Sequence, residues 1–179
     1  MNNIFSTELK KLYSVFTQMG DAVSKQIEQA TESYINHDKV VAQNLVQQDN
    51  SINGNEVDLE KQALTLMTLQ QPVADDFRNV ITILKASSDL ERIGDHATGI
   101  ALETIRVKGS HRNKEIETNI ASLTNMIRDM LKVALTAFQD IDLKQAQAVA
   151  NQDQDVDAKF DEIRNNITDA IRKDPAVAE

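Results

Sequence analysis

Glu91 and Asp95 stand four residues apart within Asp89-Leu90-Glu91-Arg92-Ile93-Gly94-Asp95-His96-Ala97. On a helix that spacing puts both carboxylates on one face, one turn apart. Earlier in the chain Asp49, Asn53, Glu56 and Glu60 share a helical face of their own. Near the C-terminal end Asp153 and Asp157 repeat the spacing of Asp49 and Asn53. Where two such helices face each other, three or four side-chain oxygens converge on one groove. An all-oxygen set suits hard cations such as Mg, Ca, Mn or Fe, and carboxylates packed together repel unless a cation or a proton neutralises them. The plainer reading is a solvated helix face laced with short-range ion pairs, Glu56 with Lys61 for example. His96 falls one residue beyond the pair. The di-iron scheme of ferritin-like bundles needs Glu-x-x-His, and no Gly-rich phosphate loop, Ser-His-Asp set or Cys nucleophile is present.

These residues need long helices to position them, and the chain is patterned for long helices. Phe5, Leu9, Leu12, Phe16, Met19, Val23, Ile27, Ala30 and Tyr34 step by threes and fours, predicting one helix over about residues 5–35. Asn36-His37-Asp38 supplies a stop and an N-cap. A second helix reaches about residue 70, where Gln71-Pro72 breaks it. The third carries Glu91 and Asp95 and ends near Lys108-Gly109. A fourth spans roughly 113–138. After Asp140-Ile141-Asp142 a fifth runs to about 172 and stops at Asp174-Pro175. In the third helix Phe77, Ile81, Leu84 and Ser88 lie in line with the two carboxylates, and Ile83, Ala86, Leu90, Ile93, Ala97 and Ile100 line the other side. Two apolar faces predict a central helix, with the carboxylates continuing a packing stripe. Gly94 and Gly99 predict close approach of a neighbouring backbone or a ligand.

Composition narrows the function. The net charge of −9 lacks the basic footprint of a nucleic-acid binder. Without cysteine there are no disulfides and no thiolate zinc sites. No run approaches the roughly 20 apolar residues that span a bilayer, and no signal-like segment opens the chain, so it reads as a soluble cytoplasmic protein. Five Gly and no Trp suit helices better than a turn-rich β fold.

The chain also repeats itself. Asp38 and Asp142 stand 104 residues apart (142 − 38), and at that step Ala42 matches Ala146, Asp49 matches Asp153, Val23 matches Ile127 and Tyr34 matches Phe138. So long a period predicts a duplicated three-helix unit. Residues 1–110 form the first unit and 111–179 the second. The counterparts of Glu91 and Asp95 would fall beyond position 179, so either the sequence is a fragment or the second unit lacks its third helix.

With these motifs in view, Asp89-Leu-Glu-Arg-Ile-Gly-Asp-His-Ala97 closely resembles the signature of the PhoU family, as do Leu69-Gln-Gln-Pro-Val-Ala-Asp-Asp-Phe-Arg78 and Asp49 with Ile52-Asn53. The resemblance covers essentially the whole chain. It implies an all-α fold of tandem three-helix bundles, the second incomplete. It implies metal binding, as in some members, with Asp49, Asn53, Glu91 and Asp95 as first-unit ligands and Asp153 and Asp157 as the remnant of a second site. The metal would be Fe, Zn, Mg or Mn; Asn53 in place of an acid weakens the first site by one charge. It further implies a non-enzymatic cytoplasmic regulator of phosphate uptake. Its partners would be the phosphate ABC transporter's ATPase and a PhoR-type sensor histidine kinase, with contact to the membrane only through them. The apolar faces of helices four and five, lacking a third partner, point to a homodimer. The competing reading is a generic helical protein-interaction module with no metal site.

Overall fold

The computed structural model describes residues 3–107 and 113–175; the side chains of Asn3 and of residues 49–53 lie outside that description, as do Lys108, Gly109 and His111. Five helices account for it: α1 (Asn3–Ile35), α2 (Lys39–Gln70), α3 (Ala74–Arg106), α4 (Lys114–Asp140) and α5 (Leu143–Lys173). No strand occurs among the described residues. The predicted breaks fall where the local chemistry puts them. Asp38 Oδ1 caps α2 by accepting from the N–H groups of Val40 and Val41, both at 3.0 Å. Asn113 does the same for α4. α3 has no side-chain cap at Val73, but Asp75 and Asp76 in its first turn face the positive end of the helix dipole.

α1, α2 and α3 pack mutually, α4 lies on α1, and α5 touches α4 alone among these elements. The central helix is therefore α1 and not α3, which corrects the expectation from the sequence. Leu12, Met19, Val23 and Ala30 of α1 are essentially inaccessible, as are Leu59 and Ala63 of α2 and Val80 and Ile83 of α3. Each fully buried large aliphatic side chain contributes about 1.5–3 kcal/mol. The second pair of helices is thinner. Ala137 is the buried residue of α4 and Ile163 that of α5.

α4 reaches α1 through specific contacts. Phe138 packs against Tyr13 and, edge-on, against Phe16, with ring centroids 5.5 Å apart in each case. Arg128 donates to Glu28 at 2.5 Å and to Ser24 at 3.3 Å. Gly20 is buried, and a Cβ built there would meet the methyl end of the Leu135 side chain, so the glycine spares Leu135 a shift. Gly99, by contrast, has open space where its side chain would be, so the predicted close approach does not occur there. Gly94 is buried.

The 104-residue repeat reappears in the turns. His37 and Ile141 both adopt the left-handed conformation, with φ of 54° and 53°. The N–H of Asp38 donates to Ser33 O at 2.8 Å and that of Asp142 to Ala137 O at 2.9 Å. Asp142 then caps α5 through Lys144 and Gln145. Position by position this is one helix-stop motif built twice. Hydrogen bonds from the Gln145 backbone and side chain, and then from Lys144, hold the Asp142 carboxyl below its usual range. The ionised form thus favours the folded state. The cap's contribution is present above the ordinary carboxylate range and is lost as pH falls through the lowered value.

Two measurements check this turn. A left-handed β-branched residue costs roughly 1–2 kcal/mol, partly offset in glycine by its freer unfolded chain. Ile141 is 73% exposed and contributes little packing. Ile141→Gly is therefore expected to stabilise the protein by about 1 kcal/mol in urea denaturation. Asp142→Asn keeps a cap but removes the charge, so its acid-induced loss of stability is expected to be shallower than that of the unmodified chain.

Candidate functional site

The site is built on the α2–α3 hairpin. Lys39 Nζ donates to the carbonyls of Ile105 and Val107, at 3.0 and 2.6 Å, and thereby fixes the register at the open end. At the closed end Gln70 and Ala74 face across the turn. Counting inward from either end brings Asn53 level with Glu91 and Asp49 level with Asp95. The two motifs thus share one height on antiparallel helices, which is what a shared cation site requires along the axis.

Across the helix the picture differs from the expectation. The buried seam of α3 runs Val80, Ile83, Ser87, Leu90, Gly94, Ala97, Ala101 and Thr104 in alternating steps of three and four. That is the period of a helix packed lengthwise in a bundle. The predicted stripe lies on the flank of this seam: Phe77 and Ser88 are exposed, Ile81 and Leu84 partly buried. The second predicted face contains part of this seam, Ile83, Leu90 and Ala97, while its small and polar members Ser87, Gly94 and Thr104 escaped an apolar count. Glu91 is consequently half-buried and has a polar partner, while Asp95 and His96 are exposed. Asp89 and Arg92 form an exposed pair at 3.7 Å, which contributes little.

Among the described residues no three His, Asp or Glu side chains gather to hold a metal. Of the four predicted first-unit ligands, Asp49 and Asn53 belong to α2, but their side chains lie outside the described set. Asp153 and Asp157 are exposed on α5, which has only α4 beside it. The structure therefore brings the first set level without showing its oxygens converge, and brings the second pair to no described partner. Lys61 pairs with Asp58 at 3.5 Å, where the solvated-face reading expects Glu56. His37, in the turn before α2, is half-buried, its Nε2 4.0 Å from Glu117. A groove of 410 Å³ opens elsewhere, between the start of α1 and the end of α2, lined by Ile4, Glu8, Leu12, Leu66 and Leu69 among others.

One polar contact in the core was not legible beforehand. Gln26 of α1 is buried and donates from Nε2 to Thr98 Oγ1 of α3 at 2.9 Å. Its Oε1 has no hydrogen-bond partner among the described residues.

This arrangement of helices has known counterparts. A profile of the PhoU domain matches residues 16–104 and 120–179. The chain belongs to the PhoU family. The two matched stretches start 104 residues apart, the step of the internal repeat. A phosphate-specific transport system accessory protein PhoU homolog of Clostridium acetobutylicum is 33% identical over 172 residues, 96% of this chain and 78% of that protein. A homolog of the same name from Pseudomonas putida is 30% identical over 171 residues, 96% of this chain and 67% of that one. The crystal structure of PhoU from Pseudomonas aeruginosa superposes with a TM-score of 0.87 at 29% identity, over 97% of this chain and 83% of that chain. A phosphate transport system regulatory protein PhoU from Streptococcus pneumoniae gives 0.87 at 27%, over 95% and 80%. The all-α PhoU-type bundle predicted from the sequence is the fold observed. Among the described residues no helix is long and apolar enough to cross a membrane.

The buried amide offers a direct check on the core beneath the site. Gln26→Met removes the unpartnered Oε1 and copies Met130, its counterpart in the repeat. Because this change also gives up the bond to Thr98, it is paired with Thr98→Val, and the double change is expected to raise stability by up to about 1 kcal/mol, since an unsatisfied buried acceptor costs of that order. Thermal and urea melts of the two forms measure it.

Proposed function

We propose that this chain is a non-enzymatic cytoplasmic regulator of phosphate uptake, acting as an adaptor on a phosphate ABC transporter's ATPase and on a PhoR-type sensor histidine kinase. The observation that carries this reading is the PhoU-family match across both halves of the chain, to relatives named as accessory proteins of a phosphate-specific transport system. A second feature supports a protein-binding role. The α2–α3 turn holds two non-glycine residues at positive φ, Gln71 at 46° and Ala74 at 48°. Around it Leu69, Val73 and Phe77 are exposed at 71%, 76% and 45%. Strained backbone presenting apolar side chains is a common form for a contact surface. Asp75 and Asp76 beside it suit a basic partner, with charge aiding encounter more than final affinity.

The proposed metal site lies on the α2–α3 flank, with Glu91 and Asp95 opposite Asp49 and Asn53. The level register and the all-oxygen donor set favour a hard cation such as Mg, Mn or Fe there over Zn. A bound cation would neutralise the carboxylates and tie the two helices together. The exposure of Asp95 favours the competing reading, an interaction module whose acids only keep the surface in water.

Two experiments separate these. Affinity capture of the tagged chain from cells grown with high or low phosphate is expected to recover the transporter ATPase, less of it as salt rises and less with Phe77→Asp. Recovery of no transporter component, or recovery that Phe77→Asp and salt leave unchanged, contradicts the adaptor reading. For the metal, elemental analysis and thermal melts compare the unmodified chain with Glu91→Gln/Asp95→Asn, with and without chelator. The site predicts bound metal and a higher melting temperature in the unmodified chain only, both lost at low pH. Identical behaviour of the two forms means the carboxylates are not a metal site.

A further inference from the structure

The middle of α2 is built differently from its ends. Ala42, Leu45, Leu59, Ala63 and Leu66 form its buried seam. They follow steps of three and four, and Leu45 and Leu59 stand 14 residues apart (59 − 45), which is two heptads. Continued across that gap, the seam falls on positions 49, 52 and 56. These hold Asp, Ile and Glu, so a single apolar residue serves three seam positions. Glu56 is half-buried, in keeping with a place at the seam. The seam of α3 is small at the same heights. By the count that sets Asn53 level with Glu91, position 49 is level with Asp95, next to Gly94, and position 56 with Ser88, next to Ser87. Charged residues set against small ones leave little apolar area to bury at these two heights.

The local sequence is weak in the same place. Five of the six residues 50–55 are Asn, Ser or Gly (Asn50, Ser51, Asn53, Gly54 and Asn55), all poorer helix formers than Ala or Leu. Gly54 has no left-handed φ, and a Cβ there would meet nothing within 4 Å. Neither a turn nor a close neighbour calls for a glycine at that point; its effect is to make the helix easier to open. The ends, by contrast, are held. Asp38 caps the first turn, and Lys39 bonds to Ile105 O and Val107 O. The last turns bury Leu59, Ala63 and Leu66, and the Gln71 N–H closes on Met67 O. A helix weak in the middle and firm at both ends opens from inside and does not fray.

We propose that residues 49–56 of α2 are a hinge, opening locally while both ends of the helix stay packed on α1 and α3. Opening there lets the outer half of α2, which carries Leu69 and leads into Val73 and Phe77, tilt as a unit. It also uncovers the α1–α3 seam at the height of Met19 and Leu90, both buried in the closed form. Control of the α2–α3 turn by this hinge rests on the contact role proposed for the turn above; the opening itself does not.

Amide hydrogen exchange of the full chain without any partner, read by peptide from zero to moderate urea, tests the hinge, and its result stands whether or not the turn docks a partner. Corrected for intrinsic rates, the amides of 49–56 are expected to exchange about 100-fold faster than those of 43–46 and 59–67. Their rates should hardly change in low urea, because local opening exposes little surface, while those around Val23 of α1 rise with it. Gly54→Ala together with Asn55→Ala, both at exposed positions, is expected to slow exchange in 49–56 about 10-fold. Equal protection along α2 overturns the proposal, as does a gradient running in from one end. So do rates in 49–56 that climb with urea as those of α1 do, or that the double substitution leaves unchanged.

Discussion

Everything in this molecule rests on α1, a helix that must be covered on three sides at once. It meets α2 and α3 through Leu12, Met19, Val23 and Ala30, and it meets α4 through Tyr13, Gly20 and Glu28. Serving three neighbours leaves little room for large side chains on every face. Gly20 is the point where the requirement is sharpest, because a methyl group there would meet the end of the Leu135 side chain. The same demand explains the polar bridges that accompany the packing. Thr31 and Thr124 share a hydrogen bond of 3.1 Å, and Gln26 reaches Thr98. The side of α1 that no helix covers keeps Lys11, Ser14, Gln18, Asp21, Lys25 and Glu32 in solvent.

From that spine the two halves differ in kind. α1, α2 and α3 enclose a continuous core, and the hairpin α2–α3 has its register fixed at both ends. On the flank of this hairpin Asp95 is exposed and Glu91 half-buried. The second half is a hairpin resting on α1 by one of its two helices. Its stability is borrowed from α1 on one side, and α5 is held only from α4.

Much of the fold was legible in the sequence because helix boundaries here are set by local chemistry. Asp38, Pro72, Asn113 and Asp142 act within a few residues of themselves, and the breaks fall where they stand. The repeat was legible because it preserves caps and turns as well as apolar positions. The identity of the central helix was not. An apolar count favoured α3, where Ile100, Phe77 and Ile93 crowd two sides, while the actual seam passes through Ser87, Gly94 and Thr104. Small residues pack helices closely but leave no mark on a hydrophobicity pattern. The exposure of Asp95 follows from the same error, since a stripe shifted by one position along α3 moves from seam to flank. Gln26 was hidden for the complementary reason: a lone glutamine in an amphipathic helix reads as surface, and only the packing of α3 on α1 buries it.

The central claim is that α1 holds both halves and that α5 is the weakly held element. Amide hydrogen exchange of the full chain, resolved by peptide, tests it most directly. The account predicts the slowest exchange in the Met19–Ala30 stretch of α1. It predicts distinctly faster exchange in α5, which packs on α4 alone among the described elements. Exchange in α5 as slow as in α1, or α1 opening before α5, would contradict it.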